Sequence, residues 1–109
     1  MNQYDVVIIG GGPGGLACAR KLAEMKKSVL LVERKKRIGS KVCAGGVTWS
    51  GLGQKLPEEL VERSFCKQYI YSNWQHVIVE NSDPIISTVN RYRLGQWMLK
   101  NAKQSGAEV

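Results

Sequence analysis

Three glycines near the N-terminus have a spacing that is typical of phosphate-binding turns. Gly10, Gly12 and Gly15 form the pattern G-x-G-x-x-G directly after the apolar run Val6–Ile9. The first glycine permits a tight turn, the second lets a pyrophosphate approach the backbone, and the third lets a helix pack close to the strand. The helix N-terminus adds unpaired N–H groups and a partial positive charge. The pattern predicts a pyrophosphate-binding turn, with a glycine-rich turn that binds nothing as the simpler alternative.

The residues around this turn favour a dinucleotide. Pro13 suits the first turn of a helix, because its missing N–H would have no intrahelical partner. A second apolar run ends at Glu33, 23 residues after Gly10. A carboxylate at that point accepts hydrogen bonds from the ribose of an adenine dinucleotide. The pattern does not distinguish FAD from NAD(P): Glu33 opposes a 2′-phosphate, whereas the adjacent Arg34 could tolerate one.

Length and composition indicate one modest globular domain. The chain has 109 residues, of which 43% are hydrophobic and 23% charged, and this length suffices for one domain. No window approaches the roughly 20 apolar residues of a membrane span. Asp5 and the shortness of the first apolar run do not fit a signal peptide. We therefore expect a cytoplasmic protein, soluble or peripheral to a membrane.

The positive charge is partly concentrated in one run. The formal net charge is +7, and Arg34, Lys35, Lys36, Arg37 and Lys41 follow each other closely. This run is either a solvated loop or a surface that attracts cofactor phosphates or an anionic membrane. No nucleic-acid motif accompanies it, so nucleic acid is not an expected partner. The three cysteines are widely spaced and odd in number, which predicts neither a metal site nor a disulfide framework.

Apolar periodicity predicts a β-α-β unit at the start of the chain and a helix followed by a strand at its end. Strands over residues 4–9 and 28–33 should flank a helix over residues 14–26 in a parallel sheet. A helix over residues 91–105 should end at Gly106, and residues 107–109 should enter a third strand. Because the chain stops there, we expect a piece of a longer flavoprotein with apolar sheet surface and a strand edge exposed.

The middle of the chain has a different period. Residues 34–50 form a long connection, and short helices are predicted over residues 48–56 and 57–63. Paired strands over residues 68–72 and 75–80 and a third strand over residues 85–89 predict a small antiparallel sheet. The expected fold class is α/β, a Rossmann-like domain with a small antiparallel insertion.

Three segments resemble the N-terminal FAD-binding portion of the geranylgeranyl reductase-like flavoproteins, within the larger group that includes aromatic-ring hydroxylases. They are residues 5–33 with the glycine turn, residues 41–47 (Lys-Val-Cys-Ala-Gly-Gly-Val), and residues 89–109. Two departures stand out. Ala44 replaces a glycine that is common in the loop, and Lys26-Lys27-Ser28 replaces the usual glycine before the second strand. The resemblance covers nearly the whole chain, so residues 1–109 are interpreted as part of one FAD-binding domain whose substrate-binding part is absent.

This resemblance implies roles for particular residues. Glu33 would bind the adenosine ribose, Arg34 would lie near the adenine, and Arg91 would help to hold the phosphates, unless Arg91 is a surface arginine. Cys43 would be catalytic if it influences proton delivery to the reduced double bond, and otherwise would only pack against the cofactor. The predicted contacts with FAD are therefore made by Gly10, Gly12, Pro13, Gly14, Gly15, Glu33, Arg34, Cys43, Ala44, Gly45, Gly46 and Arg91.

The resemblance also implies an activity. It indicates an FAD-dependent oxidoreductase that reduces double bonds of an isoprenoid or other lipid-like substrate. The electron donor is left open, with reduced nicotinamide and ferredoxin as the candidates. An FAD monooxygenase of the hydroxylase type, a truncated module without catalytic activity and an NAD(P)-only module are the alternatives. The sequence indicates neither the oligomeric state nor the particular substrate.

Overall fold

The computed structural model describes residues 2–48, 50 and 56–109. The chain divides into two compact units. The first unit comprises Met1–Val42 and Arg91–Val109, and the second comprises Cys43–Asn90. Within the described residues, no helix combines the length and the apolar character that crossing a membrane requires.

The first unit is the predicted β-α-β arrangement followed by a second helix. Its elements are β1 (Val6–Ile9), α1 (Pro13–Glu24), β2 (Val29–Val32) and α2 (Arg91–Gln104). The strands β1 and β2 are parallel, with Val6 opposite Val29 and Ile9 opposite Val32. After α2, Gly106 takes a φ of +110°, which ends the helix as predicted.

A third parallel segment begins beside β2. The N–H of Glu108 donates to the Val29 carbonyl at 2.9 Å, and the N–H of Leu31 donates to the Glu108 carbonyl at 2.8 Å. The carbonyls of Ser28 and Val32 accept from β1 and its flanks instead. Because backbone groups alternate between the two edges of a strand, Glu108 lies on the edge of β2 opposite β1. The predicted third strand is therefore confirmed at its first bridge.

The core of the first unit lies between the helices and one face of the sheet. It is built mainly from small and aliphatic side chains: Leu16, Ala19, Ala23, Val29, Leu31, Ile38, Ala102 and Ala107. On the other face, Ile9 is 89% exposed and Val7 54% exposed. The expectation of exposed apolar sheet surface is confirmed.

The second unit contains two antiparallel sheets. Its strands are β3 (Gly46–Thr48), β4 (Val61–Phe65), β5 (Lys67–Tyr71), β6 (His76–Glu80) and β7 (Ile86–Val89). One sheet has the order β3-β7-β4, and β5 and β6 form a separate hairpin. The prediction that all three later strands share one sheet is wrong, because β7 pairs with β3 and β4.

The predicted helix over residues 57–63 is also wrong beyond its first turn. Only Glu58–Leu60 form a 3-10 turn, and Val61 is already extended, with φ −79° and ψ 121°. Val61 pairs with Val89, and an irregularity at Glu62 precedes the rest of the ladder with β7. The tertiary pairing overrides the local helix signals of proline and acidic residues. The helix predicted over residues 48–56 lies largely outside the described residues, and Thr48 is the last residue of β3.

Candidate nucleotide-binding site

The glycine turn has the backbone geometry that its spacing predicts. Gly10 has a φ of +110°, which favours glycine and turns the chain sharply off β1. A Cβ on Gly15 would lie 2.0 Å from the Gly10 carbonyl oxygen, so only glycine lets α1 approach the strand this closely. Around Gly12 and Gly14, by contrast, a Cβ would meet nothing within 4 Å. The turn is thus closely packed at Gly15, beside Gly10, and open around Gly12 and Gly14.

The N-terminus of α1 is free to accept an anion. Gly12 is the N-cap in an extended conformation, Pro13 begins the helix, and no side chain caps it. The first turn carries no acidic residue. The unpaired N–H groups and the positive end of the helix dipole therefore meet the open space in front of Gly12.

Glu33 is held in place by two backbone donors. The N–H of Gly11 donates to Oε2 at 2.6 Å, and the N–H of Lys35 donates to Oε1 at 2.9 Å. Both bonds favour the ionised form, so the Lys35 donor, followed by the Gly11 donor, holds the pKa of Glu33 below its ordinary value. An ionised carboxylate has about four acceptor sites. The carboxylate can accept further hydrogen bonds from a ribose while it keeps these two.

These groups share one cavity of about 270 Å³. Gly12 and Pro13 form one part of its lining, and Glu33 forms another. Apart from Ser40, the remaining polar side chains of the lining are cationic: Arg34, Lys35, Arg37, Lys41 and Arg91. The first unit as a whole has 13 lysines and arginines against four aspartates and glutamates, a formal net charge of +9. The cavity is therefore suited to an anionic ligand.

Arg91 carries a buried donor that has no hydrogen-bond partner among the described residues. It is the first residue of α2, and its side chain is half-buried. Among the described residues, its Nε is the buried side-chain nitrogen or oxygen that has no hydrogen-bond partner. A buried donor without a partner costs free energy that an incoming acceptor would recover. The orphaned Nε, the uncapped helix and the open space at Gly12 all fit a bound dinucleotide such as FAD.

The loop from Cys43 to Gly46 belongs to the second unit. Cys43 is exposed, and its Sγ accepts a hydrogen bond from the Gly45 N–H at 3.4 Å. Gly45 has a φ of +75°, and a Cβ there would lie 2.1 Å from the Val89 carbonyl oxygen. The close approach of Val89 in β7 therefore requires a glycine at position 45. The contacts of Ala44, Gly45 and Gly46 with a cofactor stay predictions.

Sequence reasoning missed several residues that shape the cavity. Gly11 orients Glu33, Ile38 packs against Gly11, and Gly39 and Gly95 bring the basic loop onto α2. The signal that could have found Gly95 is a glycine inside a helix, which costs about 1 kcal/mol relative to alanine and often has a packing reason. Gln96, whose Nε2 donates to the Ile38 carbonyl oxygen, carries no comparable signal in the sequence.

The first unit is thus a Rossmann-type nucleotide-binding unit: a parallel pair of strands, a glycine turn at a helix N-terminus and an acidic residue after the second strand. The sequence profile of the FAD dependent oxidoreductase family matches residues 5–102. The chain belongs to this family, and FAD is the cofactor of the family, as predicted.

Individual relatives confirm the resemblance to geranylgeranyl reductase-like flavoproteins. The chain is 32% identical over 112 residues to digeranylgeranylglycerophospholipid reductase 2 of Methanopyrus kandleri, which covers 98% of this chain and 28% of that protein. It is 34% identical over 114 residues to the protein of the same name from Methanothermobacter thermautotrophicus, with 98% and 29% coverage. The chain spans just over a quarter of the length of these curated relatives.

Solved structures confirm the fold class. A geranylgeranyl bacteriochlorophyll reductase-like protein of Thermoplasma acidophilum matches with a TM-score of 0.88 at 26% identity, over 97% of this chain and 29% of that chain. The myxobacterial chondrochloren halogenase, an FAD-dependent enzyme, matches with a TM-score of 0.74 at 19% identity. This match covers 97% of this chain and 28% of the halogenase. At 19% identity the second match shows a shared fold alone.

Proposed function

We propose that the first unit binds the ADP half of FAD, with the pyrophosphate at the N-terminus of α1. The observation that carries this proposal is the cavity in which the open glycine turn, Glu33 and Arg91 come together. Arg91 is also the residue whose buried Nε has no hydrogen-bond partner among the described residues. Glu33 would accept hydrogen bonds from the adenosine ribose, Arg34 would lie beside the adenine, and Arg91 would donate to the phosphates. The cationic lining would offset the charge of the pyrophosphate.

We propose further that the whole protein is a reductase of isoprenoid double bonds in a lipid-like substrate. Two relatives that cover 98% of the chain are named digeranylgeranylglycerophospholipid reductases, which supports this substrate class. Bound FAD would supply the two-electron hydride chemistry, while the protein binds and orients it. Reduced nicotinamide or ferredoxin is the proposed source of electrons.

The loop of Cys43, Ala44, Gly45 and Gly46 is proposed to contact the flavin, on the strength of the family resemblance. Cys43 is an exposed residue outside the core cluster, which is compatible with a contact between its thiol and a ligand. We propose that Cys43 influences proton delivery to the double bond. A substrate of this kind resides in a membrane, which supports a peripheral membrane location for the whole protein.

The first experiment compares four ligands on the purified 109-residue chain. FAD and ADP should raise the thermal unfolding midpoint, because a ligand that binds only the folded state stabilises it. FMN, which lacks the ADP half, should have a much smaller effect, and NADPH should be weaker than FAD because Glu33 opposes its 2′-phosphate. Equal stabilisation by FAD and FMN, or none by ADP, would overturn the proposed site.

A visible absorption spectrum after FAD addition and desalting complements this test. A retained flavin band would show that the chain alone holds the cofactor. If NADPH stabilises the chain more than FAD does, the NAD(P) alternative replaces the proposal.

A further inference from the structure

A side-chain hydrogen bond attaches the basic loop that lines the cavity (residues 34–41) to α2. Gln96 Nε2 donates to the Ile38 carbonyl oxygen at 2.9 Å, although the two residues are 58 positions apart. The bond is partly buried, and Ile38 itself is only 8% exposed. The carbonyl is thereby oriented toward α2, and the Ile38 side chain is directed into the core.

Backbone contacts beside this bond bring the loop close to α2. A Cβ on Gly95 would lie 2.7 Å from the Gly39 Cα, so the helix and the loop touch backbone to backbone. Gly39 has a φ of +86°, and a Cβ there would lie 2.9 Å from the Tyr92 carbonyl oxygen. Gly39 and Gly95 therefore permit the close approach of the loop to α2, and the Gln96 side chain supplies a directed bond there.

The loop also contacts the glycine turn, so its position affects that turn. A Cβ on Gly11 would lie 3.0 Å from Ile38 Cδ1, so the Ile38 side chain packs directly against Gly11. The N–H of Gly11 in turn donates to Glu33 at 2.6 Å. A continuous set of contacts therefore connects Gln96 through Ile38 and Gly11 to the carboxylate that lines the cavity.

We propose that Gln96 is a positioning residue of the nucleotide site. It holds Ile38 against Gly11 and thereby sets the direction of the Gly11 N–H and of the Glu33 carboxylate. Gln96 is not part of the cavity lining, so its effect on binding is indirect. The effect on affinity rests on the proposed ADP site, whereas the effect on the Gly11 N–H does not.

Three variants of the 109-residue chain test this role. Gln96→Met keeps the side-chain length and removes the donor, Gln96→Lys restores a donor, and Gln104→Met makes the same change at the exposed end of α2. The Kd for ADP is measured by calorimetry below the unfolding range of all variants. The amide resonance of Gly11 is followed by NMR without ligand, because its shift reports the hydrogen bond to Glu33.

Gln96→Met should move the Gly11 resonance and weaken ADP binding about fivefold, because a misdirected Glu33 carboxylate would lose about one typical hydrogen bond to the ligand. Gln96→Lys should recover most of the ADP affinity and most of the wild-type position of the Gly11 resonance. Gln104→Met should match the wild type in both measurements. An unmoved Gly11 resonance in Gln96→Met, or a loss in Gln96→Lys as large as in Gln96→Met, overturns the positioning role. A wild-type chain that binds no ADP overturns the proposed site alone, since the ligand-free Gly11 signal still decides the role of Gln96.

Discussion

The Glu33 carboxylate accepts a hydrogen bond of 2.6 Å from the backbone N–H of Gly11, in the middle of the glycine turn. Its other oxygen accepts from the N–H of Lys35 at 2.9 Å. One side chain thus connects the end of β2, the turn before α1 and the start of the basic loop. The residue proposed to bind the ribose also organises the walls of the cavity.

Replacing Glu33 should therefore weaken cofactor binding. We expect Glu33→Ala to lower the affinity for FAD by about tenfold or more, because hydrogen bonds to a charged group contribute about 1.5–3 kcal/mol. Circular dichroism should show the fold intact, since the carboxylate lies outside the hydrophobic core. Fluorescence titration with FAD measures the affinity, and wild-type affinity in Glu33→Ala would contradict the ribose-binding role.

Stability should depend on pH through the same side chain. The lowered pKa of Glu33 means that its ionised form stabilises the folded state above the ordinary carboxyl pKa of 4.5. This contribution should be lost as the pH falls from there through the lowered pKa of the folded state. Urea unfolding of wild type and Glu33→Gln between about pH 3 and about pH 7 measures the difference. Asp5, whose pKa is lowered by Ser28, cancels in this comparison. If the difference in unfolding free energy between wild type and Glu33→Gln does not narrow in acid, the pH dependence does not come from Glu33.

Replacement by alanine should have different effects on stability at two glycines of the turn. Gly15→Ala should destabilise the chain by about 3 kcal/mol, because its Cβ would lie 2.0 Å from the Gly10 oxygen. Gly12→Ala should leave the unfolding free energy nearly unchanged, since its backbone is extended and the space is open. Its methyl group should nevertheless reduce FAD affinity. Thermal unfolding and FAD titration of both variants measure this, and normal binding by Gly12→Ala would argue against a pyrophosphate at this turn.

Removing Arg91 should weaken ADP binding without destabilising the ligand-free chain. Its Nε has no partner within the described residues, so Arg91→Met removes an unsatisfied buried donor. We expect affinity for ADP to fall about tenfold, as for a lost charge-assisted hydrogen bond. Lys36→Met is the control, because Lys36 is exposed and does not line the cavity. Calorimetry should separate the two variants, and equal losses would reduce the role of Arg91 to net charge.

A test of the proposed role of Cys43 requires the whole oxidoreductase. Cys43→Ala should retain FAD and lose most turnover, if the thiol influences proton delivery. Single-turnover absorbance of the reduced enzyme mixed with an isoprenoid substrate measures the step. Cys43→Ser, which keeps a polar hydrogen, should lose less. Normal turnover by Cys43→Ala would limit Cys43 to packing.

Much of the nucleotide site could be predicted because its signals are local. Glycine spacing, an apolar strand and Glu33 lie within the first 33 residues, where the turn and the helix start depend on near neighbours. The helix predicted over residues 57–63 failed for the opposite reason. Its local signals are real, yet Val61 gains a ladder with Val89, 28 residues away, and no local pattern announces that partner.

The sequence by itself determined the β-α-β unit, the open glycine turn and the family, because short-range periodicity and residue type decide these features. The tertiary structure alone decided which strands β7 joins, why Gly45 must be small, and that Gln96 holds the loop which supports Gly11. These features depend on contacts between residues that are distant along the chain. Such contacts follow from how the elements pack, and the pattern within each element does not contain them.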